Sequence, residues 1–346
     1  MGLALAGVAA RRPSPQAASA LFAPVAMLVG AIGLTCVWQT LPRHTPQWPA
    51  FIEAQPTTRP ALPETSAVAQ AALHQSTAIS SLLVDLGAIQ VTPPKPVALV
   101  GGPNASLQRL RNAEADMIDM ADRGAQVQIN DYRHTYRSAG LNIGPYMVPQ
   151  AERSVISPLE LRNARALSAR FDIDMGLARR LQHAARDLLA LRTLSAATAS
   201  MPLAIPVDHP QMSSPFGVRI DPFRGLTAFH PGVDFAGAYG QPIHVTAPGV
   251  VSFVGQRAGY GNCVEVDHGF GFKTRYGHLS GFASRVGDSV RTGDTIARMG
   301  STGRSTGVHL HYEVWANGQL QNPAHFLKTG ETLAASAAAP MLRTRG

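Results

Sequence analysis

Cysteine is nearly missing from this 346-residue chain, which has two. Cys36 falls inside a long apolar run and Cys263 in a segment that reads as a strand, so a disulfide between them does not fit. No Cys-x-x-Cys spacing occurs, which excludes a cysteine-built zinc site, and Cys263 reads as a buried structural thiol. Aromatic residues are scarce at 6%. No nucleic-acid motif accompanies the net charge of +8, so nucleic acid is set aside as a partner. Within residues 205–330 ten Lys/Arg nearly balance eight Asp/Glu, and most of the basic excess lies upstream. Such an excess suits polyanions such as anionic lipid or an acidic wall polymer.

Charged residues are absent between Arg12 and Arg43. Inside that interval Ala17 to Trp38 is almost continuously apolar, and its 22 residues would span about 33 Å as a helix, enough for a hydrocarbon core. No A-x-A-like site follows, so the sequence favours a retained anchor over a cleaved signal peptide. Arg11 and Arg12 precede the run, which places the N-terminus in the cytoplasm and everything after Trp38 outside. We therefore expect a single-pass inner-membrane protein whose remaining domains are periplasmic or extracellular, with residues 1–38 as stub and transmembrane helix.

Residues 39–104 read as a tether, broken by Pro42, Pro46, Pro49, Pro56, Pro60 and Pro63 and again by Pro93, Pro94 and Pro96. Between these groups Ser66 to Leu86 is alanine-rich and suits a short helix. A helical hairpin is expected over 105–202. One helix places Leu110, Ala113, Met117, Met120, Gly124 and Val127 at alternating spacings of three and four. The other, opening after Ser157-Pro158, does the same with Leu177, Leu181, Ala184, Leu188 and Leu191. Gly140 to Pro145 separates them. Such a hairpin serves as a spacer or dimerisation element, or as a regulator that covers an active site or binds a partner protein.

From 203 to 330 the texture changes to short segments bounded by Gly, Pro or Asn, namely Ile243–Ala247, Val250–Gly255, Asn262–Asp267, Phe272–Gly277, Thr295–Gly300 and Leu310–Trp315. Their spacing predicts a mainly β domain, an antiparallel sheet or sandwich, with Asn317-Gly318 as a hairpin turn. Residues 331–346 read as a disordered tail. Eight of the twelve histidines fall in the β-domain. In the stretch Gly300 to Trp315, strand alternation puts His309, His311 and Glu313 on one face, the two imidazoles roughly 6–7 Å apart along the strand. Strand geometry leaves open which of them would bind a metal. His230-Pro-Gly-Val-Asp234 and Tyr276-Gly-His278-Leu279 supply further metal-binding residue types beside Gly and Pro punctuation. Zinc takes imidazole nitrogens and carboxylate oxygens, and catalytic sites keep an open position.

These segments resemble the lysostaphin/LytM-type zinc metallopeptidases that cut peptidoglycan peptides. The likeness runs from about Pro206 to Leu327. It includes Phe216-Gly-x-Arg219, His230-x3-Asp234, Gly259-Tyr-Gly261-Asn262, Tyr276-Gly-His278-Leu279, Gly300-Ser-Thr-Gly303, His309-Leu-His311-Tyr-Glu313 and Asn322-Pro323. Val308 departs from the family's usual proline and removes no donor atom. The resemblance implies a lysostaphin-like β catalytic domain with one zinc held by His230, Asp234 and His311. It also implies His309 as general base and His278 as oxyanion stabiliser or proton shuttle. The substrate it implies is peptidoglycan, cut at stem peptides or cross-links of the D,D type. Some relatives have lost the metal site and act as wall-binding activators of another hydrolase; this chain keeps all five residues. His244 and His268 read as structural, His209 and His325 lie at the domain edges, and Glu313 reads as either a ligand-orienting acceptor or an exposed strand carboxylate.

Overall fold

The computed structural model describes residues 65–88, 103–148, 160–222 and 224–342. The apolar run at 17–38 lies outside them. Among the described residues no helix is long and apolar enough to cross a membrane.

Helices α1 (Thr65–Asp85), α2 (Pro103–Ser138), α3 (Ala164–Phe171) and α4 (Met175–Ala199) form the N-terminal part of this region. On α4 the expected seam is buried, with Leu181 and Ala184 fully enclosed. On α2 the expected seam is wrong. Met117 is buried, but Met120 and Val127 are 60% and 63% exposed, and the buried stripe runs through Ile118, Ala121, Ala125 and Ile129. Both stripes keep three–four spacing. The true one contains Glu114, whose carboxylate accepts the Ser76 hydroxyl of α1 inside the packed face. A buried carboxylate in the seam disguised it from a hydrophobicity pattern. The second helical stretch is also two helices, not one. Asp172 ends α3 in the left-handed region (φ 50°), and the Asp174 carboxylate accepts the N–H groups of Gly176 and Leu177 to open α4.

The β-domain comprises β1 (Gln211–Ser214), β2 (Gly217–Ile220), β3 (Thr227–His230), β4 (Val233–Ala236), β5 (Pro242–His244), β6 (Gly249–Arg257), β7 (Gly261–Gly269), β8 (Phe272–Gly277), β9 (Leu279–Phe282), β10 (Ser289–Val290), β11 (Thr295–Met299), β12 (His309–Ala316) and β13 (Gln319–Gln321). The main sheet runs β1-β4-β12-β8-β7-β6-β10, with β13 paired to β12. Every pairing in it is antiparallel. A second sheet, β5-β11-β9, and a two-stranded hairpin, β2-β3, complete the domain. Alternation along β12 buries Leu310, Tyr312 and Val314 completely against Val233, Phe235, Tyr276 and Val264. Its opposite face carries His309, His311 and Glu313. Asn317 and Gly318, at φ 51° and 76°, close the β12-β13 hairpin, the geometry that favours Asn-Gly.

A final helix, α5 (Pro323–Leu342), extends through residues assigned above to a disordered tail. The Asn322 side chain accepts the Ala324 N–H at 3.1 Å to start it, and the alanines after Leu333 sustain it. Phe326 of α5 meets Phe272 edge-on, and Tyr146, in the short 3₁₀ turn Gly144–Met147, stacks on Phe272 at 5.1 Å. Asn317 Nδ2 donates to the Tyr146 hydroxyl at 3.1 Å. The helices therefore dock at the Ala316 end of β12, on the order of 20 Å along the strand from His309.

Candidate metal centre

Register builds the site. Strand β12 lies between β4 and β8, with His311 opposite Asp234 on one side and Gly277 on the other. His230 ends β3, and the Pro231-Gly232 turn returns the chain into β4, so that His230 and Asp234 face each other. His230 Nε2 stands 3.1 Å from His311 Nδ1 and 3.1 Å from Asp234 Oδ1, which is 2.9 Å from His311 Nδ1. All three residues are buried.

The outer hydrogen bonds fix what these atoms are. His230 Nδ1 donates to the Pro215 carbonyl at 2.8 Å, and His311 Nε2 donates to Glu313 Oε1 at 3.1 Å. In each neutral ring the proton is thus on the outer nitrogen and a lone pair points inward. Two lone pairs and a carboxylate oxygen then converge with no proton among them, an arrangement a cation satisfies. Atoms bound tetrahedrally at zinc's usual ligand distances stand about 3.3 Å apart, close to the separations seen. The donor set fits the ion. Without the ion, inward protons on His230 and His311 can donate to Asp234 instead: burial alone would raise its pKa, but these hydrogen bonds and the charge that comes with them hold the carboxyl well below the usual carboxylate range.

Glu313 is fully buried, not an exposed strand carboxylate. Its Oε1 accepts the Tyr260 hydroxyl at 2.7 Å as well as His311, and its Oε2 accepts Arg275 Nη1 and Trp315 Nε1, both at 2.9 Å. Arg275 Nε in turn donates to Glu265 Oε1 at 2.8 Å. The sequence offered one clue to this network, the placement of Glu313 on the histidine face. Tyr260, Arg275 and Glu265 were missed, since their link to the site passes through cross-strand register.

His309 stands apart from the triad. Its Nδ1 donates to the Gly307 carbonyl at 2.9 Å, and its Nε2 lies 3.7 Å from Asp234 Oδ1. His278 sits beside it, ring centroids 4.7 Å apart. The His278 backbone is held in the left-handed region (φ 60°), uncommon for a residue with a Cβ. Its N–H donates to the Tyr260 carbonyl at 2.8 Å and its Nδ1 to the Thr302 carbonyl at 2.7 Å. Thr302 is placed by a close backbone approach: a Cβ on Gly261 would lie 2.4 Å from the Thr302 carbonyl carbon. Both accessory histidines therefore carry a lone pair on Nε2. The five residues line one surface groove of about 330 Å³, together with Arg219, Asp221, Tyr260 and Arg304, and among the described residues no helical one contributes to it.

His268 and His244 serve structure: His268 Nδ1 donates to the Pro248 carbonyl and its Nε2 accepts the Thr274 hydroxyl, and His244 Nδ1 donates to the Gly293 carbonyl. Burial pushes the Cys263 thiol up to about 12, as suits an inert core residue. A second His–carboxylate group, Asp122, His183 and Asp187, joins α2 to α4, with His183 Nδ1 3.0 Å from Asp122 Oδ1 and half exposed.

Burial lowers the pKa of His268 and takes that of His278 down to about 4. The folded His278 ring therefore stays neutral where the unfolded chain binds protons, as pH falls through about 6.5, and the lowered His268 acts in the same direction. The metal-free protein is therefore expected to lose stability between pH 6.5 and 5. His311 acts in a different window. Its pKa is opposed by burial but raised on balance by Asp234 and Glu313, so its contribution fades as pH rises above 6.5. Thermal midpoints of the metal-free chain at pH 6.5, 5.8 and 5.0 check this. His278→Asn, which tolerates the left-handed backbone, should flatten the dependence; an unchanged midpoint in the unsubstituted chain would refute it.

The β-domain is similar in sequence to known proteins. The sequence model of Peptidase family M23 matches residues 228–323. The DD-carboxypeptidase/endopeptidase Mpg of Neisseria meningitidis is 47% identical over 118 residues, 34% of this chain and 27% of its own. The peptidoglycan DD-endopeptidase ShyC of Vibrio cholerae is 38% identical over 122 residues, 35% of this chain and 28% of its own. The chain thus spans under a third of the length of these curated relatives. Among solved structures, the lysostaphin catalytic domain of Staphylococcus simulans shares 32% identity, with 34% of this chain and 92% of that one covered at a TM-score of 0.32.

Proposed function

We propose that this chain, whose β-domain belongs to peptidase family M23, is a zinc endopeptidase that hydrolyses D,D-type peptide bonds of peptidoglycan, at cross-links or at stem-peptide ends. The observation that carries the reading is the inward convergence of two imidazole lone pairs and one carboxylate oxygen, at 2.9–3.1 Å from one another, beside two further histidines in one groove. His230, Asp234 and His311 would hold the metal. Zinc bound there supplies a Lewis acid that makes a water nucleophilic near neutral pH.

The remaining steps belong to the chain's own side chains. His309, with its Nδ1 proton committed to Gly307, offers Nε2 as the base that takes a proton from the attacking water. His278, pinned by Thr302 and Tyr260, faces the same space. It can take over the water's proton from the neighbouring His309 ring, and with Nε2 so protonated it donates to the oxygen of the scissile carbonyl or passes that proton to the leaving amine. Glu313 keeps His311 in the tautomer that presents Nδ1 inward.

The apolar run at 17–38 after Arg11 and Arg12 supports an anchor in the inner membrane, with the peptidase on the periplasmic side. The docking of the helices at the far end of β12 supports their use as a spacer or as a platform for a regulatory protein rather than as a plug. Incubating the zinc-loaded chain with defined cross-linked wall fragments and identifying products by mass spectrometry tests the function. Cleavage at D-alanyl bonds is expected, and intact fragments would overturn the reading.

A further inference from the structure

The groove carries a cation that the chemistry above does not use. Strand β2 alternates so that Val218 and Ile220 face solvent, 74% and 64% exposed, while Arg219 between them faces the groove. Arg219 Nη2 stands 3.5 Å from Asp234 Oδ2, longer than an ordinary N–H···O hydrogen bond. The side chain is 33% exposed, and a guanidinium has five N–H donors, so donors remain for a ligand. The neighbouring cation, Arg304, is paired with Asp221. The one anion of the triad, Asp234, is turned toward His230 and His311 through Oδ1 and is outweighed once a divalent ion is bound. The wall formed by β2 therefore presents positive charge within one side-chain length of the metal ligands.

A cation so placed selects among peptide bonds by what lies just past the bond. At a stem-peptide end, the residue following the scissile D-alanyl bond carries the chain's terminal carboxylate. In a D-alanyl–diaminopimelate cross-link, the acylated amine sits on a carbon that bears its own free carboxylate. The two substrates differ in size but present the same anion, on the carbon that carries the leaving nitrogen. An amide inside a glycine bridge has none there. We propose that Arg219 is a specificity-determining residue whose guanidinium binds this carboxylate, so that one groove accepts both D,D substrates and disfavours bonds that lack the anion. The inference rests on the peptidase reading and adds the substrate feature that reading leaves open.

The test compares a synthetic stem peptide ending in D-Ala-D-Ala as the free acid with the same peptide as its carboxamide, using the zinc-loaded chain. The unsubstituted protein is expected to prefer the acid by roughly 10–100-fold in kcat/KM, the range of a hydrogen bond to a charged group, and chiefly through KM. Arg219→Gln should bring the ratio of the two substrates toward one. Arg219→Lys, which keeps charge but not the bidentate fork, should retain an intermediate preference and serves if the glutamine variant does not fold. An unsubstituted enzyme indifferent to the carboxylate would overturn the inference. So would an Arg219→Gln enzyme slowed equally on both peptides with its preference intact, because that pattern marks a residue that only orients Asp234. Turnover of neither peptide by the unsubstituted enzyme would overturn the inference that one groove accepts both substrates, and only failure to cleave the cross-linked fragments as well would overturn the peptidase reading.

Discussion

Changing His311 to alanine is expected to strip the metal centre and take hydrolysis with it, whereas changing His309 to alanine should leave the metal and remove only rate. His311 Nδ1 is one corner of a triangle whose sides are 2.9–3.1 Å. Without it, two donors remain, short of the three protein ligands that catalytic zinc sites use. His309 Nε2 is 3.7 Å from the nearest triad oxygen, and its ring is held by Gly307. Its removal deletes a proton acceptor, which costs typically about 10²–10⁴-fold in rate. Elemental analysis beside a hydrolysis assay separates the two. A zinc-free His309→Ala protein beside a metal-loaded His311→Ala protein would reverse the assignment.

Glu313→Ala should be the most damaging change at a residue that touches neither metal nor substrate. The carboxylate is completely buried, and four donors from Tyr260, His311, Arg275 and Trp315 end on it. Although burial favours its neutral form, the hydrogen bonds of His311 and Tyr260 and the charge of Arg275 keep its pKa below the ordinary value. Removing one member of a buried ion pair costs about 3–5 kcal/mol, since Arg275, with a side chain 14% exposed, keeps only Glu265. Loss of such a partner behind a metal-binding histidine weakens affinity roughly 10–100-fold. Denaturant titration reads the first effect and chelator competition the second. Glu313→Gln keeps the shape and should fall between. A Glu313→Ala protein with unchanged stability and zinc affinity would contradict this account of the network.

The β-domain was legible because its strands are short, punctuated by Gly, Pro and Asn, and alternate apolar with polar side chains. The segment 309–315 shows this best, with Leu310, Tyr312 and Val314 enclosed and the polar face turned to the site. Alternation could not choose between His309 and His311, because both lie on that face; the choice appears only once β4 sets Asp234 opposite His311. Strands β2 and β3 were not read at all, since their exposed apolar residues and groove-facing Arg219 invert the usual pattern. The α2 seam failed because the buried stripe holds Glu114, while Met120 and Val127 lie outside. Ser76 satisfies that carboxylate from a helix distant in sequence, and spacing within α2 carries no trace of it.

The central claim is that His230, Asp234 and His311 assemble a zinc site on which hydrolysis depends. The most direct measurement is metal depletion and reconstitution of the purified chain, with zinc content and cleavage of a cross-linked stem-peptide dimer followed on the same samples. The account predicts about one zinc per chain, loss of cleavage when a chelator removes it, and recovery of both when zinc is returned. A chain that binds no zinc, or that cleaves equally well after depletion, would contradict it.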